Sequence, residues 1–114
     1  MKKAIFFLSI LLLFTGLASA QNLPSITLVN NTGYTVWYVY ISQTASDSWG
    51  NDWLASNEIL RSGSAVTFTL PYPLNVVNRY DIKIVDSDGD SYTKWDVRVN
   101  ANSRIVFTFD DFDY

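Results

Sequence analysis

Apolar and polar residues alternate with a period of two over most of the chain after Gln21, and this alternation predicts strands, not helices. Ile26–Val29 opens the series. Tyr34–Ser42 (YTVWYVYIS) follows, with β-branched and aromatic residues on both alternating faces, which predicts a central strand. In Ser64–Leu70 the residues Val66, Phe68 and Leu70 alternate with Ala65, Thr67 and Thr69, the pattern of a half-buried strand. Arg79–Asp86 sets Tyr80, Ile82 and Ile84 on one face, and Ser91–Val99 sets Thr93, Trp95, Val97 and Val99 opposite Tyr92, Lys94, Asp96 and Arg98. The Asp- and Gly-containing turn between them predicts a hairpin. Arg104–Phe109 is the last strand, and the acidic aromatic tail after it is expected to fray, or else to pair as a short edge.

Between these runs lie turn clusters: Asn30-Asn31-Thr32-Gly33, Arg61-Ser62-Gly63, Pro71-Tyr72-Pro73 and Asn100–Ser103. The long polar stretch Gln43–Asn57 reads as a loop with one helical turn near Asp52–Ser56. Six short strands without a helical period predict an all-β fold, an antiparallel two-sheet β-sandwich of the immunoglobulin-like or C2-like kind, ahead of a small barrel.

The start of the chain follows a different pattern. Lys2 and Lys3 precede an apolar run, Ala4–Leu17, which ends in Ala18-Ser19-Ala20, so residues 1–20 read as a cleaved export signal of bacterial style with the mature start at Gln21. The run is shorter than the roughly 20 residues of a spanning helix, and no later segment is long and apolar enough to span. The expectation is a soluble periplasmic or secreted protein, without a lipid anchor because no cysteine follows the cleavage site.

Removing residues 1–20 from 114 leaves 94, enough for one domain at residues 21–114. That segment holds 6 basic and 11 acidic residues, a net charge of −5, which argues against nucleic acid as a partner. Without disulfides, stability must come from burial, and all four Trp and all seven Tyr lie in this segment.

The absence of His and Cys removes most nucleophile–base constellations and the usual zinc ligands. No catalytic residue is assigned. A carboxylate-dependent glycan hydrolase stays as the enzymatic alternative, since such enzymes need only two acids. The densest candidate cluster is Asp86-Ser87-Asp88-Gly89-Asp90. Three carboxylates at i, i+2 and i+4 around a glycine can converge on calcium, with Asp47 and Asp52, or the tail acids Asp110, Asp111 and Asp113, as further ligands if the fold brings them near. It is not an EF-hand, because Ser91 and Val97 stand where that loop needs Gly and Glu. The same residues also suit a plain turn.

Trp49 and Trp53, flanked by Asp and Asn in the long loop, suit sugar stacking or a protein contact, or else fold back to cap the core. Trp37 and Trp95 lie inside strands and are expected in the core. Tyr34, Tyr38 and Tyr40 form a stripe that reads as a binding face or as cross-strand packing. Asn30-Asn31-Thr32 matches a glycosylation sequon and also reads as a turn.

Taken together, N-N-T-G-Y-T-V-W-Y-V-Y-I-S at Asn30–Ser42, D-S-W-G-N-D-W-L at Asp47–Leu54 and Y-D-I-K-I-V-D-S-D-G-D-S-Y-T-K-W at Tyr80–Trp95 resemble a family of small exported bacterial β-domains of unknown function. The resemblance implies no activity for any residue. The functional expectation is an exported binding or interaction module for an unknown protein or glycan, with calcium at its acidic loops. A structural or inhibitor-like partner protein is the remaining alternative.

Overall fold

Strands form where the alternation predicts them: β1 (Ser25–Asn31), β2 (Val36–Gln43), β3 (Ala65–Thr69), β4 (Arg79–Asp86), β5 (Ser91–Arg98) and β6 (Asn102–Thr108). The structure, a computed structural model, describes residues 22–114, and the export signal expected at residues 1–20 lies outside the described residues. The strands make two three-stranded sheets, ordered β3-β1-β6 and β2-β4-β5. The fold is therefore all-β with two sheets, as expected, and β4 and β5 form the expected hairpin. One pairing departs from the expected antiparallel pattern, because β6 runs parallel to β1. The chain leaves β5 in the opposite sheet and crosses over at Val99–Ala101, where the Ser25 N–H donates to the Ala101 carbonyl at 2.9 Å. It thus enters beside the first residue of β1 and follows the same direction.

The core lies between the sheets. Ile26 and Leu28 from β1 and Phe107 from β6 meet Val36, Val39 and Ile41 from β2, Tyr80, Ile82 and Ile84 from β4, and Tyr92 from β5. Val66 and Phe68 of β3 pack against them. No helix among the described residues is long and apolar enough to cross a membrane.

Strand β2 is not central, as its two-sided apolar pattern suggested; it is an edge of its sheet. Its free edge is covered by the long loop. Val36 and Leu60 exchange both backbone hydrogen bonds at 2.9 Å, and the Trp53 N–H donates to the Val39 carbonyl at 2.7 Å. Asp52 Oδ1 accepts from the N–H groups of Val39 (2.9 Å) and Leu54 (3.0 Å). Leu54 and Leu60 are thereby drawn into the core. No helical turn forms at Asp52–Ser56, because this backbone is committed to the strand edge, a protection that open sheets need.

Two bulges correct the expectation that Trp37 and Trp95 are core residues. Val36 pairs with Asp86 and Tyr38 with Val85, so Trp37 is the extra residue in β2. Tyr80 pairs with Val97 and Ile82 with Lys94, so Trp95 and Asp96 together oppose Asp81. A bulge resets which side each later residue faces. Trp37 ends 46% exposed and Trp95 67% exposed, while Tyr92 and Val97 both pack toward the core. Asp96 takes a left-handed backbone (φ 53°) at the second bulge, and its N–H donates to Asp81 Oδ1 at 2.7 Å.

The tail is docked. A 3-10 turn at Phe109–Asp111 is capped by Thr108, whose hydroxyl accepts from the Asp110 N–H while the Thr108 N–H donates to Asp111 Oδ2. Phe112 bridges to Tyr92 and meets its ring edge-on at 5.6 Å. Asp113 Oδ2 accepts from Ser91 Oγ (2.7 Å) and Thr93 Oγ1 (2.6 Å), and Lys94 Nζ lies 3.1 Å from Asp111 Oδ1. The outer edge of β5 is closed in this way, through the short-edge pairing that was the alternative to fraying.

Candidate functional site

The outer face of the β2-β4-β5 sheet is lined with aromatic rings. Tyr38 and Tyr40 stack at 6.4 Å. Lys83, between them and β5, holds its ammonium 5.5 Å from the Tyr40 ring and 4.8 Å from the Trp49 ring. The long loop thus lays Trp49 over the sheet, 5.6 Å from Trp95 and tilted by 50°. Cation–π attraction of this kind gains about 0.5–1 kcal/mol at exposed sites and fixes where the indole rests. Beside it is a notch of about 170 Å³ lined by Ser46, Asp47, Trp49, Asp81 and Trp95, among others. Asp81 faces outward yet is buried, because its Oδ1 is the acceptor that shapes the bulge and also receives Thr44 Oγ1 at 3.3 Å.

The two loop tryptophans take different roles. Trp53 packs against the core, edge-on to Phe68 at 5.5 Å, whereas Trp49 belongs to the outer face. Sequence reasoning placed Trp95 in the core, and it named neither Asp81 nor Lys83 as a candidate although alternation sets both opposite Tyr80, Ile82 and Ile84. The available signal was the adjacent bulky pair Trp37-Tyr38, which a regular alternation cannot place on one side without a bulge.

At the opposite end of β4 lies the acidic turn. Asp86 is only 2% exposed, and its carboxylate organises the turn. Oδ1 accepts from the N–H groups of Asp88 (2.9 Å) and Asp90 (3.0 Å), and Oδ2 accepts from the Tyr92 hydroxyl at 2.9 Å. Gly89 supplies the left-handed residue the turn requires (φ 84°). Carboxylate oxygens of Asp86, Asp88 and Asp90 all lie within 4.8 Å of one another, with Asp88 and Asp90 exposed.

Asp47 and Asp52 do not join this group. Asp52 is committed to the β2 edge, and Asp47 sits in the notch near Asp81, five residues along β4 from Asp86, a span of about 17 Å. Asp111 and Asp113 are engaged by the tail contacts. The sequon is likewise structural. Asn30 is fully buried, its amide donates to the carbonyls of Tyr34 and Leu60 at 2.8 Å, and its Oδ1 accepts from Thr32 N–H and Oγ1.

Two buried phenols carry a pH signature. Burial, then the hydrogen bond to Asp86 and the charges of Asp86 and Asp90, push the Tyr92 hydroxyl far above its ordinary value. Burial first, and the nearby Tyr72 second, raise Tyr80. A group whose value is raised on folding contributes stability that is full below its unfolded value and lost above it. Unfolding free energy is therefore expected to fall as pH rises above about 10, and Tyr92→Phe should flatten that fall in denaturant titrations between about pH 8 and 11.

No protein-family model matches the chain, and no curated protein matches it in sequence. In structure it is similar to a protein from Eubacterium rectale solved by NMR, with a TM-score of 0.57 and 16% identity over 78% of this chain and 80% of that one. At that identity the likeness concerns the fold alone.

Proposed function

We propose that this chain is an exported binding module that meets its ligand on the outer face of β2-β4-β5, centred on Trp49 and Trp95. The observation supporting this reading is the outward placement of large aromatic rings by two bulges, with Trp95 left 67% exposed. Folding alone favours burying such rings, and an exposed aromatic cluster rimmed by polar residues marks an interaction surface. The acidic notch beside it adds hydrogen-bond acceptors. Residues 21–114 and a Trp49→Ala/Trp95→Ala variant are to be compared on a glycan array and in crosslinking to extracellular proteins. The native protein should be retained about tenfold more strongly than the variant at equal melting temperature, since tightly packed aromatic anchors dominate binding. Equal behaviour of the two overturns the reading. Asp47 and Asp81 lie in the same notch, so release of reducing ends that Asp47→Asn abolishes would replace the module with the hydrolase.

A calcium ion at the acidic turn is a second, independent part of the proposal. It is supported by the mutual approach of three carboxylates within 4.8 Å. Because hydrogen bonds already engage both oxygens of Asp86, Asp88 and Asp90 would supply the free ligands, and the site would be weak, of the roughly 0.1–1 mM class found in extracellular modules. Calorimetric titration should show calcium heat and a raised melting temperature in the native chain but not in Asp88→Ala. No heat at several-fold above that range ends the calcium proposal.

A further inference from the structure

A second cleft, of about 330 Å³, shares Trp49 with the acidic notch and is lined by Trp49, Trp53, Tyr72 and Tyr80 together with Ser46 and Gln43 among others. Tyr80 is 1% exposed, and its hydroxyl is the one buried side-chain polar atom among the described residues without a hydrogen-bond partner. Such a group destabilises a fold, and phenylalanine would fill the same space without that cost. A partner arriving from outside accounts for the hydroxyl. Burial keeps its proton in place, so it offers a donor.

The rest of the cleft restricts what that partner is. Aromatic rings present electron-rich faces, which suit the C–H faces of a pyranose ring. The cleft shares Ser46, Ser48 and Trp49 with the notch that carries Asp47 and Asp81, so a nearby anion would be repelled. Lys83, a cation of the adjoining sheet face, is already held over Trp49 and Tyr40. A volume of about 330 Å³ lies at the small end of ligand pockets and suits a single ring. The Ser46–Gly50 segment above can give way as a unit, since its side-chain hydrogen bonds are internal: Ser46 Oγ to the Ser48 carbonyl, Ser48 N–H to Ser46 Oγ, and Gly50 N–H to Ser48 Oγ.

We infer that this cleft seats one ring of a neutral sugar, whose hydroxyl oxygen accepts the Tyr80 proton, while the glycan continues past Trp49 into the Trp95 notch. The inference rests on the binding-module reading and gives it a ligand class.

Native protein, Tyr80→Phe and Trp95→Ala are to be titrated with maltotetraose, cellotetraose and chitotetraose, and with tetragalacturonate as the charged control. The Trp49 and Trp53 indole N–H signals are followed by NMR. At least one neutral tetrasaccharide should shift both signals, and Tyr80→Phe should bind it about three- to tenfold more weakly, the worth of one neutral hydrogen bond. The same variant should melt at the native temperature or above, because it removes an unpaired buried hydroxyl. No shift at either indole with any neutral probe up to about 10 mM overturns the inference, that concentration being weaker than a useful recognition event. Tighter binding of tetragalacturonate also overturns it. If Trp95→Ala abolishes binding and Tyr80→Phe leaves it unchanged, the seat falls and the binding face stands. The reverse result keeps the seat and removes the face.

Discussion

Asp86→Ala is expected to lower the unfolding free energy by about 3–5 kcal/mol, read from denaturant titration at neutral pH. The carboxylate accepts three hydrogen bonds, two from backbone N–H groups of the turn and one from Tyr92. In the variant the N–H groups of the exposed residues Asp88 and Asp90 can turn to water, but the fully buried Tyr92 hydroxyl cannot. That orphaned group supplies much of the cost. Asp86→Asn is the discriminating control, because its amide oxygen can still accept both N–H groups and its NH₂ can donate to a reoriented Tyr92 hydroxyl. It should cost only about 1–2 kcal/mol. If both substitutions prove equally mild, Asp86 does not organise the turn, and its burial has some other cause.

The second large effect is expected at Asn30, where Asn30→Asp should be more damaging than Asn30→Ala. Alanine forfeits four hydrogen bonds, for a loss of about 2–4 kcal/mol. The carbonyls it abandons keep other donors, since Leu60 also accepts from the Val36 N–H and Tyr34 from Thr32 Oγ1. Aspartate instead turns a carboxylate oxygen toward those two carbonyls in a fully buried site, an uncompensated charge worth about 3–5 kcal/mol. Lowering the pH below about 4 should recover part of the Asp variant's loss and none of the Ala variant's, because protonation restores one donor. Thermal melts at pH 7 and about pH 4 test this. A pH-independent difference between the variants would show that volume, not charge, governs the site.

Legibility differed between fold and site. The buried faces of β3 and β4 followed directly from alternation, with Val66 and Phe68 of β3 and Tyr80, Ile82 and Ile84 of β4 all turned to the core. Alternation failed in β2 and β5 for one reason. A single inserted residue reverses every later position; the adjacent bulky pair Trp37-Tyr38 hints at the first insertion, and the Trp95-Asp96 pair does not announce the second. The acidic turn was visible as a cluster, but whether its carboxylates are free or spent depends on Tyr92, and that contact follows from how the turn closes. Fraying was the expected fate of Asp110-Asp111-Phe112-Asp113-Tyr114, as of most chain termini, with pairing as a short edge the alternative. Its anchors, Ser91, Thr93, Lys94 and Tyr92, all lie on another strand.

The sequence alone determined that residues 22–114 make six strands with an apolar inner face, because alternation and turn chemistry are local properties of neighbouring residues. Only the tertiary structure decided that β2 is an edge, that β6 runs parallel to β1, and that Trp49 and Trp95 meet on the outer face. Each depends on pairings between residues tens of positions apart, which set register and sheet order. The Tyr80 hydroxyl belongs to the same class. An inward position was readable from its strand, but whether that hydroxyl finds a partner is known only once both sheets and the loop have closed around it.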